Sequence, residues 1–295
     1  SAAPGRDVWE VDPTTGIELD IVATDPADYV RDIRVIMPGG IYPDDPYTLV
    51  AEPEPGRPGW LSFEEHYTEI VFHPDFLASL RGYSVIRFMN WPHTNGSPEV
   101  AWEDRPRLDD ARWTPHGVPL ELICRLANQT GIDPWINLPH QADDNYLRQA
   151  ATLLLNQLDP ALTPYLEYSN EVWNTTFPQH TYARAQGLAL GRDPDGYRAA
   201  IRYYAHRAGQ MFSIFEDVWG DPDRFQAVYG SKSWEPLVTQ LILDYPGTTT
   251  HADQISLDAY FGFEATWNEN CDRIANMTID QFLDYLQNET IPLSL

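Results

Sequence analysis

The residues best suited to chemistry in this chain are an asparagine and a glutamate, Asn170 and Glu171, placed between aromatic side chains. Residues 165–168 before them have the short apolar pattern of a strand. Tyr168 precedes the pair and Trp173 follows it, so the Glu171 carboxyl is expected to lie among rings. Partial loss of water favours the neutral carboxyl group, which can donate a proton near neutral pH. The spacing therefore predicts an acid or base catalyst at the end of a strand.

Strands and helices alternate along the chain in an order that would position such a pair. Six apolar runs are predicted as core strands: residues 32–37, 84–90, 133–140, the run ending at Asn170 and Glu171, 224–230 and 254–262. Helical patterns cover residues 75–82, 117–131, 143–158, 197–219, 236–244 and 278–287. Residues 16–24 alternate as a strand outside the main sheet, and residues 41–60, rich in proline and glycine, are predicted to be an exposed loop.

Repeated strand and helix units predict a parallel sheet, either open or closed into a barrel. No glycine-rich phosphate loop follows a strand, which disfavours an open nucleotide-binding sheet. Polar and aromatic residues recur where the strands end, and in a barrel these ends form one catalytic face. The sequence therefore predicts a TIM-type (β/α)8 barrel over residues 31–295, with about six units visible and the C-terminal end incomplete. Residues 1–30 are predicted to form an N-terminal β extension.

The strand ends resemble those of one known family. The residues that carry the resemblance end strands two, three, four and six, namely Arg87, His140, the string from Tyr168 to Glu171, and Tyr260. Their order resembles the retaining glycoside hydrolases of clan A, the 4/7 superfamily of barrel enzymes. The longer string from Tyr168 to Asn174 is also similar to a group of bacterial secreted proteins labelled cellulose-binding. The resemblance covers roughly residues 30–262.

The resemblance implies a role for each of these side chains. Glu171 would be the general acid/base, and Asn170 would donate a hydrogen bond to the sugar 2-hydroxyl that strengthens in the oxocarbenium-like transition state. Arg87 would hold the nucleophilic carboxylate ionised. His140 would contact sugar hydroxyls, and Tyr260 would donate a hydrogen bond to the nucleophile.

Two of these residues also have a structural interpretation. Arg87 has an alternative partner in Glu167, which shares a strand face with Glu171 by alternation and would form an interior ion pair with the guanidinium. His140 is a lone histidine, and such residues are more often structural hydrogen-bonding groups than catalysts. Both interpretations stay open at this level.

The second carboxylate that a retaining mechanism needs has no obvious position. Clan A enzymes place it on a seventh strand, about 5 Å from the acid/base, whereas only a loop and a helix follow Gly262. Glu264 is the reserve candidate for the nucleophile, and Glu235 is a second. The family's usual His-x-Tyr is here Asp258-Ala-Tyr260. Three explanations stay open. The chain is a fragment that lacks two units, or the strand count is wrong and Glu264 or Glu235 is the nucleophile. The third is that the protein binds sugar without cleaving it.

Aromatic side chains indicate the class of ligand. The chain has 10 tryptophans and 16 tyrosines, and several tryptophans fall in predicted loops after strands: Trp91, Trp102, Trp113, Trp173, Trp234 and Trp267. Flat rings can stack on the apolar faces of sugars. The predicted substrate-binding residues are Arg87, Trp91, His140, Trp173, Trp234 and Tyr260.

These observations predict a retaining glycoside hydrolase that cleaves β-1,4-linked glucan, xylan or mannan, with Glu171, Asn170 and Glu264 as catalytic residues. The alternative is a non-catalytic carbohydrate-binding protein that uses the same aromatic groove. A third hypothesis is an acidic scaffold protein whose resemblance to the barrel enzymes is incidental.

Composition excludes other classes of partner. The formal net charge is -25, from 19 Lys and Arg against 44 Asp and Glu, so a polyanion such as nucleic acid would be repelled. No run of 18 apolar residues predicts a membrane span. Cys124 and Cys271 have no CxxC spacing, and His93, His116 and His140 lack the spacing of ligands, so neither a cofactor nor a metal is predicted.

The two ends of the chain bear on where the protein acts and on how it assembles. Residues 1–5 fit a secreted protein whose signal has been removed as well as they fit an expression remnant, and a polysaccharide substrate predicts an extracellular location. A barrel that lacks two strands exposes two sheet edges. Such edges predict a homo-oligomer or a further segment that completes the barrel.

Overall fold

The computed structural model describes residue 9, residues 18–31, residues 33–258 and residues 276–285. The chain divides into two compact units, Ser1–Ala78 and Ser79–Leu295. No helix in these described ranges is long and apolar enough to cross a bilayer.

The first unit contains a small antiparallel sheet of three strands. Its strands are β1 (Gly40–Tyr42), β2 (Asp45–Val50) and β3 (Leu61–Ser62), in the order β2-β1-β3. Helix α1 (Phe63–His66) follows β3 directly, because the Ser62 side chain caps it by accepting a hydrogen bond from the Glu65 amide. Helix α2 (Pro74–Ser79) ends at the division between the two units.

The second unit is built on a five-stranded parallel sheet. Its strands are β4 (Val85–Phe88), β5 (Asp133–Leu138), β6 (Tyr165–Tyr168), β7 (Gln226–Ser231) and β8 (Gln254–Leu257), paired in chain order so that β6 is central. The helices are α3 (Leu120–Thr130), α4 (Asp144–Gln157), α5 (Pro178–Ala189), α6 (Gly196–Trp219), α7 (Pro236–Leu243), α8 (Thr248–His251) and α9 (Ile279–Tyr285). Short 3-10 turns lie at Trp102–Asp104 and Pro222–Arg224.

The predicted (β/α)8 barrel with six visible units is wrong. Over the residues described, the parallel sheet has five strands, and β4 and β8 are its edges. The predicted first core strand is the missing one, since residues 33–37 lie outside any strand and Val35 is 75% exposed. Alternation marks a segment that can be a strand, but a strand forms only where a neighbour supplies its backbone hydrogen bonds. Here β4 pairs with β5 on one side alone in the part of the chain described.

Two predictions near the N-terminus also differ from the structure. Residues 18–24, the described part of the predicted outer strand, form no strand. Residues 41–60, predicted as an exposed loop, contain most of β1 and all of β2. Burial of Tyr42 explains why this segment forms strands. Tyr42 is 1% exposed, and the Arg57 guanidinium lies 3.7 Å from the centroid of its ring. A buried aromatic ring under a cation organises a segment whose proline and glycine content alone predicts a loop.

The remaining elements confirm the predicted alternation, and their ends have local causes. Helix α3 ends at Gly131, which adopts the left-handed conformation at φ 67° that glycine tolerates. Helix α4 begins after Asp143, whose carboxylate accepts a hydrogen bond of 2.7 Å from the Tyr146 amide.

The two faces of the parallel sheet differ in chemistry. One face carries apolar side chains that are buried, among them Ile136, Leu166 and Tyr229, each 0% exposed. The other face carries polar groups, because Arg87, Trp135 and Glu167 bond to one another across β4, β5 and β6. Ligands of parallel α/β sheets bind at the carboxyl ends of the strands. The candidate site is therefore expected at that end of the polar face.

Candidate active site

Asn170 and Glu171 lie directly after the central strand β6, in a backbone that departs sharply from the strand. Ser169 and Glu171 have φ values of 59° and 42°, in the left-handed region that favours glycine. Such conformations cost about 1–3 kcal/mol each and concentrate at functional sites. The Asn174 amide donates to the Glu171 carbonyl at 2.8 Å, and the Asn174 side chain donates to Glu171 Oε2 at 3.0 Å. The turn therefore fixes both the backbone and the carboxylate of Glu171.

An ion pair between the part-exposed Arg87 and the buried Glu167 lies next to this turn. The Nε and Nη2 atoms of Arg87 donate to Glu167 Oε2 at 3.1 and 2.8 Å, and Trp135 Nε1 donates to the same oxygen at 2.8 Å. Glu167 is 2% exposed. Burial raises the pKa of Glu167, and the Arg87 guanidinium and the bond from Trp135 act against that rise. The structural interpretation of Arg87, an interior pair with Glu167, is thus confirmed.

Arg87 also orients the asparagine. Its Nη2 atom donates to Asn170 Oδ1 at 2.9 Å, and Asn170 Nδ2 donates to Asn95 Oδ1 at 2.9 Å. Gln179 of α5 donates to Asn95 Oδ1 at 2.7 Å and to the Asn170 carbonyl at 2.8 Å. An amide nitrogen has two hydrogens, and one of those on Asn170 Nδ2 goes to Asn95. These bonds hold the amide in one orientation.

Gly230 of β7 leaves the space that the Glu167 carboxylate occupies. A Cβ atom at position 230 would lie 2.7 Å from Glu167 Oε1. We expect Gly230→Ala to displace this carboxylate and to lower the free energy of unfolding by about 1–3 kcal/mol, measured by chemical denaturation. Gly209→Ala is the matched control, because its Cβ would lie 3.5 Å from the Tyr229 hydroxyl, an ordinary van der Waals distance. Equal stability of the two variants would contradict the proposed role of Gly230.

An aromatic and cationic group lies on the β7 side of Glu171. The Trp173 and Trp234 rings meet edge to face with centroids 6.3 Å apart. The Lys232 ammonium lies 5.4 Å from the Trp173 centroid and 5.1 Å from that of Trp234, and it bonds to Glu235 Oε2 at 2.7 Å. Trp234 is 44% exposed and Trp173 is 7% exposed, so Trp234 presents the accessible ring. Glu235, a reserve nucleophile in the sequence-based prediction, is engaged by Lys232.

A second carboxyl group lies at the end of β8. Asp258 Oδ1 accepts a hydrogen bond of 2.6 Å from the Ser233 amide. Asp258 Oδ2 is buried and has no hydrogen-bond partner. Burial raises the pKa of Asp258, the bond from Ser233 opposes this, and the negative charge of Glu171 raises it further. Burial is the largest cause of this rise in the pKa of Asp258.

His140 and Trp91 are two further residues that the sequence predicted to bind substrate. His140 is 3% exposed, its ring meets the Tyr182 ring edge to face at 5.2 Å, and its Nδ1 atom is buried without a partner. Burial lowers the pKa of His140 to about 4, so the ring is neutral at neutral pH. Trp91 packs edge-on against Phe88 at 5.2 Å. The structure thus joins Arg87 to Asn170 by a hydrogen bond, while His140 and Trp91 follow neighbouring strands.

Tyr260 and Glu264, two further predicted site residues, lie outside the described residues, as does Trp267.

Sequence reasoning missed several residues of the site. Asn95 and Gln179 belong to no recognisable pattern, because a single amide in a loop or on a helix carries no signal until the fold brings it to a partner. Lys232 did have a signal, since it is the single lysine of the 295-residue sequence. Asp258 had one as well, as the residue that replaces histidine in the His-x-Tyr pattern of the resembling family.

Within the ranges that the structure describes, no group of three His, Cys, Asp or Glu side chains is arranged to hold a metal ion. Comparisons with protein-family models, with curated proteins and with solved structures give no match. The geometry of the site is therefore the basis for assigning a function.

Proposed function

We propose that this chain is a retaining glycoside hydrolase that cleaves β-1,4-linked polysaccharide of the cellulose or hemicellulose type, with Glu171 as the general acid/base. The observation that carries the proposal is the constrained Asn170 and Glu171 pair at the carboxyl end of the central strand. The backbone there holds φ values of 59° at Ser169 and 42° at Glu171. Strain of this kind persists where the surrounding structure fixes a functional geometry.

Each side chain of the pair has a distinct task in this reaction. The Glu171 carboxyl gives its proton to the leaving glycosidic oxygen in the first step and takes a proton from water in the second. The Asn170 amide, held by Arg87 and Asn95 at 2.9 Å each, offers its remaining hydrogen to the sugar 2-hydroxyl. That hydrogen bond strengthens as positive charge develops at the sugar ring.

The surroundings of the pair suit a neutral polymer. The Trp234 ring is 44% exposed and meets the ring of Trp173, two residues after Glu171, and such a ring stacks on the apolar face of a sugar. A formal net charge of -25 repels polyanions and leaves an uncharged glycan acceptable. Because polysaccharides of this kind are met outside the cell, we further propose that the protein is secreted.

A second candidate function is binding of the same glycans without cleavage. It is favoured by one observation: Arg87, the residue expected to hold a nucleophile ionised, is bonded to the buried Glu167 at 2.8 Å. A protein of this kind would use the Trp234 surface for adsorption and would keep Asn170 and Glu171 as contacts for sugar hydroxyls.

Incubation of the chain with cellohexaose, xylohexaose and mannohexaose separates the two functions. The proposal predicts shorter oligosaccharides from at least one of the three, detected by chromatography and mass spectrometry. Retention on insoluble cellulose with no cleavage of any hexasaccharide would favour the binding protein and contradict the enzyme.

Trp234→Ala is expected to weaken binding to the polysaccharide substrate by about 3- to 10-fold, since an aromatic contact contributes about 0.5–1.5 kcal/mol. The Trp234 ring is more exposed than the Trp173 ring, so its loss removes ligand contact with little loss of core packing. Depletion of protein from solution by insoluble polymer measures the effect. The control is Leu155→Ala, a 38% exposed side chain on α4, and equal binding by the two variants would contradict the assignment.

A further inference from the structure

We propose that Asn95 binds the substrate, with its side-chain nitrogen donating a hydrogen bond to the 3-hydroxyl of the sugar unit that Asn170 contacts. This inference rests on the proposed function and adds to it a residue that determines specificity. Asn95 lies in the loop after β4, outside the set of residues that the sequence predicted for the site.

Three side-chain amides are joined by hydrogen bonds at the carboxyl end of β6. Asn170 Nδ2 donates to Asn95 Oδ1 at 2.9 Å, and Gln179 Nε2 donates to the same oxygen at 2.7 Å. Gln179 Nε2 also donates to the Asn170 carbonyl at 2.8 Å. Asn95 is thus the direct neighbour of Asn170, the residue assigned to the sugar 2-hydroxyl.

Two groups that can only donate fix the orientation of all three amides. The Arg87 guanidinium donates to Asn170 at 2.9 Å, so the oxygen of Asn170 faces Arg87 and its nitrogen faces Asn95. The Gly96 amide donates to Gln179 at 3.0 Å, so the nitrogen of Gln179 also faces Asn95. Neither a guanidinium nor a backbone N–H can accept a hydrogen bond. Because both neighbours present donors, Asn95 turns its oxygen towards them and its nitrogen away from them.

Asn95 is the exposed member of the three amides. Gln179 is 0% exposed and Asn170 is 3% exposed, whereas Asn95 lies at the surface. Within the part of the chain that the structure describes, no group accepts a hydrogen bond from Asn95 Nδ2. An amide nitrogen carries two hydrogens, so Asn95 has donors to give to a ligand.

The loop that carries Asn95 is fixed by its own contacts. Gly96 has a φ of 67°, in the left-handed region, and a Cβ atom there would lie 3.2 Å from Pro178 Cγ at the start of α5. The Ser97 amide donates to the Thr94 carbonyl at 3.4 Å. A donor that is held in place before the ligand arrives loses little conformational entropy on binding.

The chemistry of this donor indicates which group of the ligand it contacts. An uncharged amide suits an uncharged acceptor such as a sugar hydroxyl, and the net charge of -25 disfavours an anion. On a pyranose ring the hydroxyl next to the 2-hydroxyl, on the side away from the anomeric carbon, is the 3-hydroxyl. That hydroxyl is free in a β-1,4-linked polymer, whereas in a β-1,3-linked polymer it carries the linkage. A contact from Asn95 to the 3-hydroxyl therefore selects for the β-1,4 linkage.

Removal of the hydroxyl and of the amide, singly and together, tests this contact. One substrate is the dinitrophenyl β-glycoside of the disaccharide unit of the hexasaccharide that is cleaved, and the other lacks the 3-hydroxyl of the ring that carries the dinitrophenyl group. The unmutated chain should cleave the first with a kcat/KM about 3- to 10-fold higher, the usual effect of one neutral hydrogen bond. Asn95→Ala should remove this preference. A disturbed Asn170 would slow both substrates alike, so the ratio of the two kcat/KM values reports the contact with the 3-hydroxyl.

Asn95→Asp separates the inward acceptor from the outward donor. The carboxylate keeps an oxygen for Asn170 and Gln179, so the variant should fold even where Asn95→Ala does not, but it presents an oxygen to the ligand in place of a nitrogen. A fluorine at position 3 of the sugar can accept a hydrogen bond and cannot donate one. Relative to the hydroxylated substrate, Asn95→Asp should therefore disfavour the 3-fluoro substrate about 3- to 10-fold more than the unmutated chain does.

The control is Asn145→Ala, which alters an exposed asparagine on α4 and should leave these preferences unchanged. Preferences in Asn95→Ala and Asn95→Asp that equal those of the unmutated chain would overturn the role of Asn95 and leave the proposed function standing. Absence of hydrolysis of every hexasaccharide by the unmutated chain would overturn the proposed function and this inference with it.

Discussion

Glu171→Gln is expected to lower kcat for hydrolysis of the natural polysaccharide by about 10²- to 10⁴-fold, which is the usual contribution of a general acid/base. Glutamine keeps the shape of the side chain and can still meet Asn174, which donates to Glu171 Oε2 at 3.0 Å, but it has no proton to give to the leaving oxygen. Binding of the polymer should be unchanged. Reducing-sugar release and depletion on insoluble polymer measure the two quantities separately.

The leaving group gives this prediction a second, more specific test. An aryl glycoside with a nitrophenolate leaving group needs little protonation, so Glu171→Gln should slow its release far less than it slows hydrolysis of the polymer. The matched control is Glu103→Gln, an exposed carboxylate in the 3-10 turn Trp102–Asp104. Undiminished polymer hydrolysis by Glu171→Gln would contradict the assignment of the acid/base.

Arg87→Met is expected to lower the free energy of unfolding by about 3 kcal/mol at pH 7, because it leaves a charge buried without its partner. Glu167 is 2% exposed and receives two of its hydrogen bonds from Arg87. Asn170 loses a bond of 2.9 Å from the same guanidinium, so kcat should fall together with stability. Urea denaturation measures the first effect, and hydrolysis of a nitrophenyl glycoside at a folded temperature measures the second.

The pH dependence of this variant identifies the buried group. Burial already raises the pKa of Glu167 when Arg87 is present. Without the guanidinium that opposes this rise, the pKa in the folded state should lie still further above its value in the unfolded chain. The folded state then binds more protons, so the stability of the variant should rise as the pH falls from 7 towards 5, and its deficit should shrink. Arg148→Met, which removes an exposed cation 4.0 Å from Asp217, is the control. A deficit that stays constant with pH would contradict the ion pair as its cause.

The sequence predicted the units of the parallel sheet well because their signals are local. The glycine at position 131 and the aspartate at position 143 define helix ends through contacts with their own neighbours, and β5 to β8 coincide with apolar runs. The number of strands was predicted wrongly because pairing is not local. Residues 33–37 have a strand-like pattern, yet no partner in the described residues turns them into one.

The candidate site also contains some residues that a local pattern predicts and others that only the fold brings together. Asn170 and Glu171 were predicted from a short string, and the pairing of Arg87 with Glu167 follows from strand alternation. The bonds that Asn95 and Gln179 make to Asn170, at 2.9 and 2.8 Å, join residues 75 and 9 positions apart in the chain. Only the fold brings such amides together. Asp258 was visible as a departure from a family pattern, but the hydrogen bond that its Oδ1 atom accepts from the Ser233 amide depends on the pairing of β7 with β8.

The most direct test of Glu171 as the acid/base is the product formed by Glu171→Ala in the presence of azide. With a dinitrophenyl β-cellobioside, the variant should form the glycosyl-enzyme and then stall, because no base activates water. Azide needs no base, so it should restore turnover and yield the β-glycosyl azide, with the configuration of the substrate retained. Failure of azide to restore turnover, or formation of the α-glycosyl azide, would contradict the account.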